Sequence, residues 1–178
     1  AWGERLEAAI RTGFDRLHLR GGLARWRDAL PVAEQMAARL AGAGLPLAVH
    51  DDAELALHLK ATTLHLSAAA AARVVSGGLP PPGVAIGLSV HADTDPEVAR
   101  QLAPDYVLVG NVAETASHPG RPGIGWDGFR SIADCFDAPA YAIGGLGFGD
   151  ATTAWQAGAL GWASISAWFE PGGSSKPR

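Results

Sequence analysis

Short runs of β-branched or alternating residues are separated along this chain by Ala- and Leu-rich stretches of helical period. The runs are Arg16–Leu19, Leu47–Val49, Thr63–Leu66, Val84–Val90, Tyr106–Val109, Ala140–Ile143 and Trp162–Ile165. The helical stretches lie near Arg5–Thr12, Ala24–Ala43, Asp52–Lys60, Ala68–Val75, Asp95–Ala103, Trp126–Cys135 and Asp150–Ala157. Each pair takes about 20 to 30 residues, the rhythm of βα units on a parallel sheet. Asp95 ahead of Pro96 is a favourable helix start, because an N–H at the first helical position has no intrahelical partner to lose.

Seven strands can be counted, and the first helix has no strand in front of it. One more strand would give the eight units of a TIM (β/α)8 barrel, whose lengths begin at roughly 200 residues. We therefore read an α/β barrel over residues 1–170 with its first strand missing from the chain, followed by a flexible Pro/Gly/Ser tail over 171–178. A doubly wound sheet has the same alternation and remains the alternative on pattern alone. Strand parity favours the barrel. Leu17 and Leu19 share one face of their strand, His18 and Arg20 the other; Leu64 and Leu66 oppose Thr63, His65 and Ser67; Gly87, Ser89 and His91 line one face of a third strand. An open sheet covered by helices on both sides would more often show continuous apolar runs.

Composition narrows the function. The net charge is −4 with no basic run, which disfavours a partner held through nucleic-acid phosphates. Cys135 is the single cysteine, so there is no internal disulfide framework and no Cys-based zinc site. The longest uncharged stretch, Val74–Ala92, is interrupted by glycines and prolines and will not span a bilayer. No signal-peptide pattern opens the chain, so a cytoplasmic location is expected.

Sites in a barrel gather at the C-terminal ends of the strands. There the sequence places Arg20, His50-Asp51, His65 with Ser67, Ser89 with His91, Asn111 through His118, Gly144-Gly145, and Ser164 with Ser166. Ala142-Ile143-Gly144-Gly145-Leu146-Gly147 is a strand running into glycines ahead of a helix. Backbone N–H groups can approach an anion closely at such a turn, and the helix N-terminus adds partial positive charge. A tight turn with no ligand is the bland reading. The polar loop from Gly110 to Gly120 offers Glu114, Thr115, Ser117 and His118 for binding or proton transfer, or is a solvated surface loop. The six histidines have no helical two-ligand spacing, so zinc is not expected, and His18 and His65 suit interior positions. The six tryptophans suit packing or an interface, including one between copies of this chain.

Several of these segments, in order and spacing together, resemble the thiamine-phosphate synthase/TenI family across nearly the whole chain. They include Leu17-His18-Leu19-Arg20, Val49-His50-Asp51-Asp52, Leu64-His65-Leu66-Ser67, Gly87-Leu88-Ser89-Val90-His91, Tyr106-Val107-Leu108-Val109-Gly110, Glu114-Thr115-Ala116-Ser117-His118, Ala142-Ile143-Gly144-Gly145 and Ser164-Ile165-Ser166. The resemblance implies a barrel that joins a pyrimidine pyrophosphate to a thiazole phosphate with Mg²⁺, or a TenI-type thiazole tautomerase. It places Arg20, His50 and Ser89 on the pyrophosphate side and Asp51 at the metal. Thr115, Ser117, Gly144, Gly145, Ser164 and Ser166 fall on the thiazole-phosphate side.

The departures from the family pattern are local. Gly22 stands where a lysine is expected, His50 replaces an asparagine, and His118 takes the place of the loop lysine. Ser67-Ala68-Ala69-Ala70 lacks the second aspartate. Asn111 occupies the position of the TenI histidine base, and an amide is no general base at neutral pH. His118 and Glu114 are the substitutes the sequence offers. The loop Thr115–Pro122, closed by Ile124-Gly125-Trp126, also looks like TenI-type domains fused behind a Nudix hydrolase domain. The expectation is a protein of thiamine (thiazole) metabolism that binds a phosphorylated thiazole beside a reduced pyrophosphate/Mg²⁺ half. The alternative is a non-catalytic sensor, or a structural domain fused to a Nudix hydrolase.

Overall fold

The computed structural model describes residues 2–21, 26–77, 83–115, 120 and 122–169. They form two compact units that divide between Gly87 and Leu88. In the first, α1 (Trp2–Thr12) leads into β1 (Leu17–Leu19), a 3-10 turn and α2 (Leu30–Gly42). Next come β2 (Leu47–His50), α3 (Ala53–His58), β3 (Thr63–Leu66) and α4 (Ala68–Gly77). β4 (Ala85–Val90) runs across the division. The second unit continues with α5 (Pro96–Leu102), β5 (Tyr106–Gly110), α6 (Gly125–Ala133), β6 (Ala140–Ile143), a second 3-10 turn, α7 (Ala151–Gln156), β7 (Gly161–Ala163) and α8 (Ser166–Phe169). Among the described residues no helix is long and apolar enough to cross a membrane.

Within the first unit β1 pairs with β2 and β2 with β3, both parallel. The register aligns Leu19 with Val49 and Val49 with Leu64, which places the aliphatic residues on one face. Leu40 of α2 and Leu55 of α3 are fully buried, as is Val49. Each such side chain contributes about 1.5–3 kcal/mol of burial. The second unit repeats the plan. β5 pairs with β6 and β6 with β7, again parallel, and Val107, Val109 and Ala142 are wholly enclosed together with Phe129 of α6.

The seven strands fall on the seven runs read from the sequence, with shifts of a residue or two at the ends. The largest differences have local causes. The stretch Ala24–Ala43 is not one helix among its described residues; a 3-10 turn over Arg27–Ala29 precedes α2, whose first turn is fixed by Pro31. β7 stops at Ala163 rather than Ile165, because the Ser164 hydroxyl accepts the N–H of Ala167 and turns the chain into α8. The tail over 171–178 lies outside the described residues.

Candidate active site

The strand ends of the first unit present a cluster of side chains. His18, Ala48, Thr63, His50 and His65 occupy the face opposite the aliphatic one, and the register pairs His50 directly with His65. The small Ala48 in the row of His18 leaves room for three imidazoles to meet. The His65 ring centroid lies 5.1 Å from that of His18 and 5.2 Å from that of His50. His65 is 1% exposed. Burial, then the neighbouring His18 and His50, lowers its pKa to about 2, against a smaller opposing pull from Asp51. His18 is lowered to about 4 by burial, Arg16 and His50. Both rings are therefore neutral at physiological pH.

Asp51 follows β2 in a left-handed backbone conformation, φ 58°. Its N–H donates to the His65 carbonyl at 2.8 Å, and its Oδ1 accepts the Ser67 N–H at 2.7 Å. Its Oδ2 lies 3.3 Å from His50 Nδ1. Burial alone would raise the Asp51 pKa, but the hydrogen bonds from His50 and from the Ser67 backbone and hydroxyl outweigh it. The net value is about 2. The next residue, Asp52, caps α3 by accepting the Leu55 N–H at 2.8 Å.

Among the described residues no group of three or more His, Cys, Asp or Glu side chains could hold a metal ion. Asp51 has both oxygens engaged by protein groups, and Ser67 opens α4 by accepting the Ala70 N–H at 3.2 Å. Arg20 is exposed beyond β1, and Gly22 lies outside the described residues.

The second unit builds its strand ends from backbone. Gly110 of β5, Ile143 of β6 and Ala163 of β7 are in register, so the loops beginning at Asn111, Gly144 and Ser164 leave the sheet at one level. Val112 N–H donates to the Ile143 carbonyl at 2.9 Å and Ala113 N–H to the Gly144 carbonyl at 3.0 Å, stitching the first two loops together. Gly144 and Gly145 both have positive φ, 100° and 68°. A Cβ on Gly144 would stand 2.4 Å from Asn111 Cβ, and one on Gly145 only 2.3 Å from the Glu114 carbonyl oxygen. Glycine is required here by close approach of two backbones. The N–H groups of Gly145 and Leu146 meet no acceptor among the described residues.

A 3-10 turn over Phe148–Asp150 and the six-residue α7 follow these glycines, so loop amides rather than a long helix dipole supply the donors. Phe148, Trp162 and Trp168 form an aromatic trio that ties this turn to β7 and α8, with centroids 4.8 to 5.8 Å apart. The sequence suits the tryptophans to packing or an interface, and Trp162 and Trp168 pack against Phe148.

Of the remaining expected site residues, Thr115 is half-buried and Glu114 exposed at the end of the described loop, and Ser89 is half-buried on β4 in the second unit. Ser117, His118 and the Ser166 side chain lie outside what the structure describes. Asn111 spends its amide locally, Nδ2 donating to the Ala113 carbonyl at 3.1 Å. Sequence reasoning left His91 without a role. At the end of β4 its Nδ1 sits 2.5 Å from the Gly110 carbonyl oxygen, a contact no sequence pattern announces.

Parallel βα units with polar strand ends define an α/β fold of the TIM type, one that hosts many chemistries. Residues 2–168 match the family described as thiamine monophosphate synthase, and the chain belongs to this thiamine-phosphate synthase/TenI family of transferase-type enzymes. It is 33% identical over 167 residues to a thiamine-phosphate synthase of Natronomonas pharaonis, covering 92% of this chain and 78% of that one. It is 35% identical to the thiamine biosynthesis bifunctional protein ThiM/ThiE of Symbiobacterium thermophilum, covering 91% of this chain and 34% of the longer protein. In fold it is similar to the thiamine phosphate pyrophosphorylase of Pyrococcus furiosus, with a TM-score of 0.73 at 24% identity over 92% of this chain and 79% of that one.

Proposed function

We propose that this chain binds a phosphorylated thiazole at the strand ends of its second unit and acts in the thiazole branch of thiamine metabolism. The observation that carries the reading is the row Gly110–Ile143–Ala163, from which three loops rise at one level with the Gly145 and Leu146 N–H groups unpaired among the described residues. Backbone donors on a glycine turn suit a phosphate, because they cost little to organise and carry no side chain to exclude it.

The Mg²⁺–pyrophosphate half of a synthase does not fit the first unit, where Asp51 is held by Ser67 and His50, so no condensation step is assigned there. A sensor that binds without turnover is the second reading, favoured by Asn111, whose amide is used to hold its own loop.

Calorimetric titration with hydroxyethylthiazole phosphate tests the proposal. Saturable binding is expected, at least tenfold tighter than that of the unphosphorylated alcohol. Equal affinity for the two, or no binding, overturns it.

A further inference from the structure

We infer that His91 is the proton-carrying side chain of the second unit's site, an inference that rests on the thiazole-phosphate reading above. The argument begins with its tautomer. The Gly110 carbonyl can only accept a hydrogen bond, so the ring nitrogen 2.5 Å from it, Nδ1, carries the hydrogen. In the neutral ring Nε2 is then the bare, basic nitrogen, fixed in orientation by a backbone group that does not titrate. The backbone of His91 is pinned as well, its N–H donating to Thr94 Oγ1 at 2.9 Å. A base held this way loses little entropy when it acts.

Its position matches the rest of the site. β4 neighbours β5, and β5 pairs with β6, so His91 and the Gly144-Gly145 turn flank Gly110-Asn111 from opposite sides. Two strand spacings separate them, about 10 Å. That span suits a five-membered ring on a two-carbon phosphate arm, the phosphate on the Gly145 and Leu146 amides and the ring across Asn111. The other described groups are poorer carriers. Asn111 has no proton to exchange at neutral pH, and Glu114, exposed as His91 is, lacks the side-chain hydrogen bond that fixes the His91 ring among the described residues.

The step is a proton shift with no net redox change. Nε2 takes a proton from a ring carbon of a non-aromatic thiazole tautomer, and the C–H electron pair moves into the ring. The electrons of the displaced double bond then take the same proton back from Nε2–H at the far carbon, leaving the aromatic ring and neutral His91.

Two measurements on the whole chain test this. Long-range ¹⁵N–¹H correlation of the free protein should show His91 as the Nδ1–H tautomer; an Nε2–H tautomer overturns the inference whatever the ligand does. The second follows conversion of the non-aromatic tautomer of a thiazole phosphate to its aromatic form in wild type and His91→Gln. The variant should bind the aromatic thiazole phosphate within threefold of wild type and convert the tautomer at least 100-fold more slowly. A variant retaining more than a tenth of the wild-type rate, or a wild type that binds without any conversion, overturns the inference and leaves the binding proposal standing. Failure of the wild type to bind at all removes both.

Discussion

In the first unit His18, His50, His65 and Asp51 converge from three parallel strands, and their hydrogen-bonding and packing capacity is turned on one another. In the second unit the ends of β5 and β6 carry glycines, at Gly110 and Gly144-Gly145, and what the turn after β6 offers is main-chain N–H groups. The first arrangement holds strands together through side-chain chemistry that responds to pH. The second relies on steric absence: nothing larger than hydrogen fits at Gly144 or Gly145. The two halves of a repeated plan have thus diverged in what sets their tolerance to change. The acidic and imidazole groups of the one should be sensitive to protons, the loops of the other to a methyl group.

The largest effect is expected from that methyl group. Gly145→Ala would place a Cβ 2.3 Å from a carbonyl oxygen of the backbone, in a residue already at φ 68°. Neither can move without displacing the Asn111–Glu114 segment, so the loss should be on the order of 3 kcal/mol in denaturant unfolding. Affinity for hydroxyethylthiazole phosphate should fall more than tenfold. Gly149, where a Cβ meets nothing within 4 Å, is the matched control, and Gly149→Ala should stay within about 0.5 kcal/mol of wild type. Equal behaviour of the two variants would remove the steric half of the contrast.

The acid response of the first unit comes next. His18 and His65 have folded pKa values lowered to about 4 and about 2, against 6.5 for the free side chain. Below pH 6.5 the unfolded chain takes up protons that the folded chain refuses, so stability falls as pH is lowered from there toward the folded values. The expected loss between pH 6.5 and 5 is roughly 3 kcal/mol for the two rings together, read from urea midpoints across that window. His65→Gln should flatten the slope even where it lowers the plateau. A slope unchanged in that variant would mean that the imidazole cluster is not what titrates.

How much of this was visible in the sequence depends on the kind of interaction. The strands were legible because alternation reports a sheet face directly, and His18, His65 and Ser67 appeared on the polar side of their strands for that reason. Gly144-Gly145 was legible as a turn, but what makes it obligatory is the Asn111–Glu114 backbone more than thirty positions upstream, and no local pattern encodes that meeting. Asp51 shows the same limit. The family resemblance implies a metal ligand there, while the groups that occupy its oxygens, Ser67 from the next strand end and His50 beside it, come together only through the β2–β3 register. His91 was visible as a residue and invisible as a role, since a carbonyl is the same in every sequence.

Asp51→Asn isolates the smallest of these effects. Asparagine keeps the shape and tolerates the left-handed backbone at φ 58°, so the change removes charge with little strain. With its folded pKa at about 2 and the free value at 3.8, the wild-type carboxylate contributes stability that is complete above pH 4 and disappears as pH falls through 2. The side chain keeps 31% of its surface in solvent, which screens the interaction. About 1 kcal/mol at pH 7 is therefore the expected difference, shrinking to nothing near pH 2 in parallel unfolding curves. The same pair of proteins tests the metal assignment. If Asp51 serves the fold through Ser67 and His50, wild type and Asp51→Asn should show the same indifference of unfolding midpoint to millimolar Mg²⁺. A midpoint that rises with Mg²⁺ only in the wild type would return the carboxylate to metal binding.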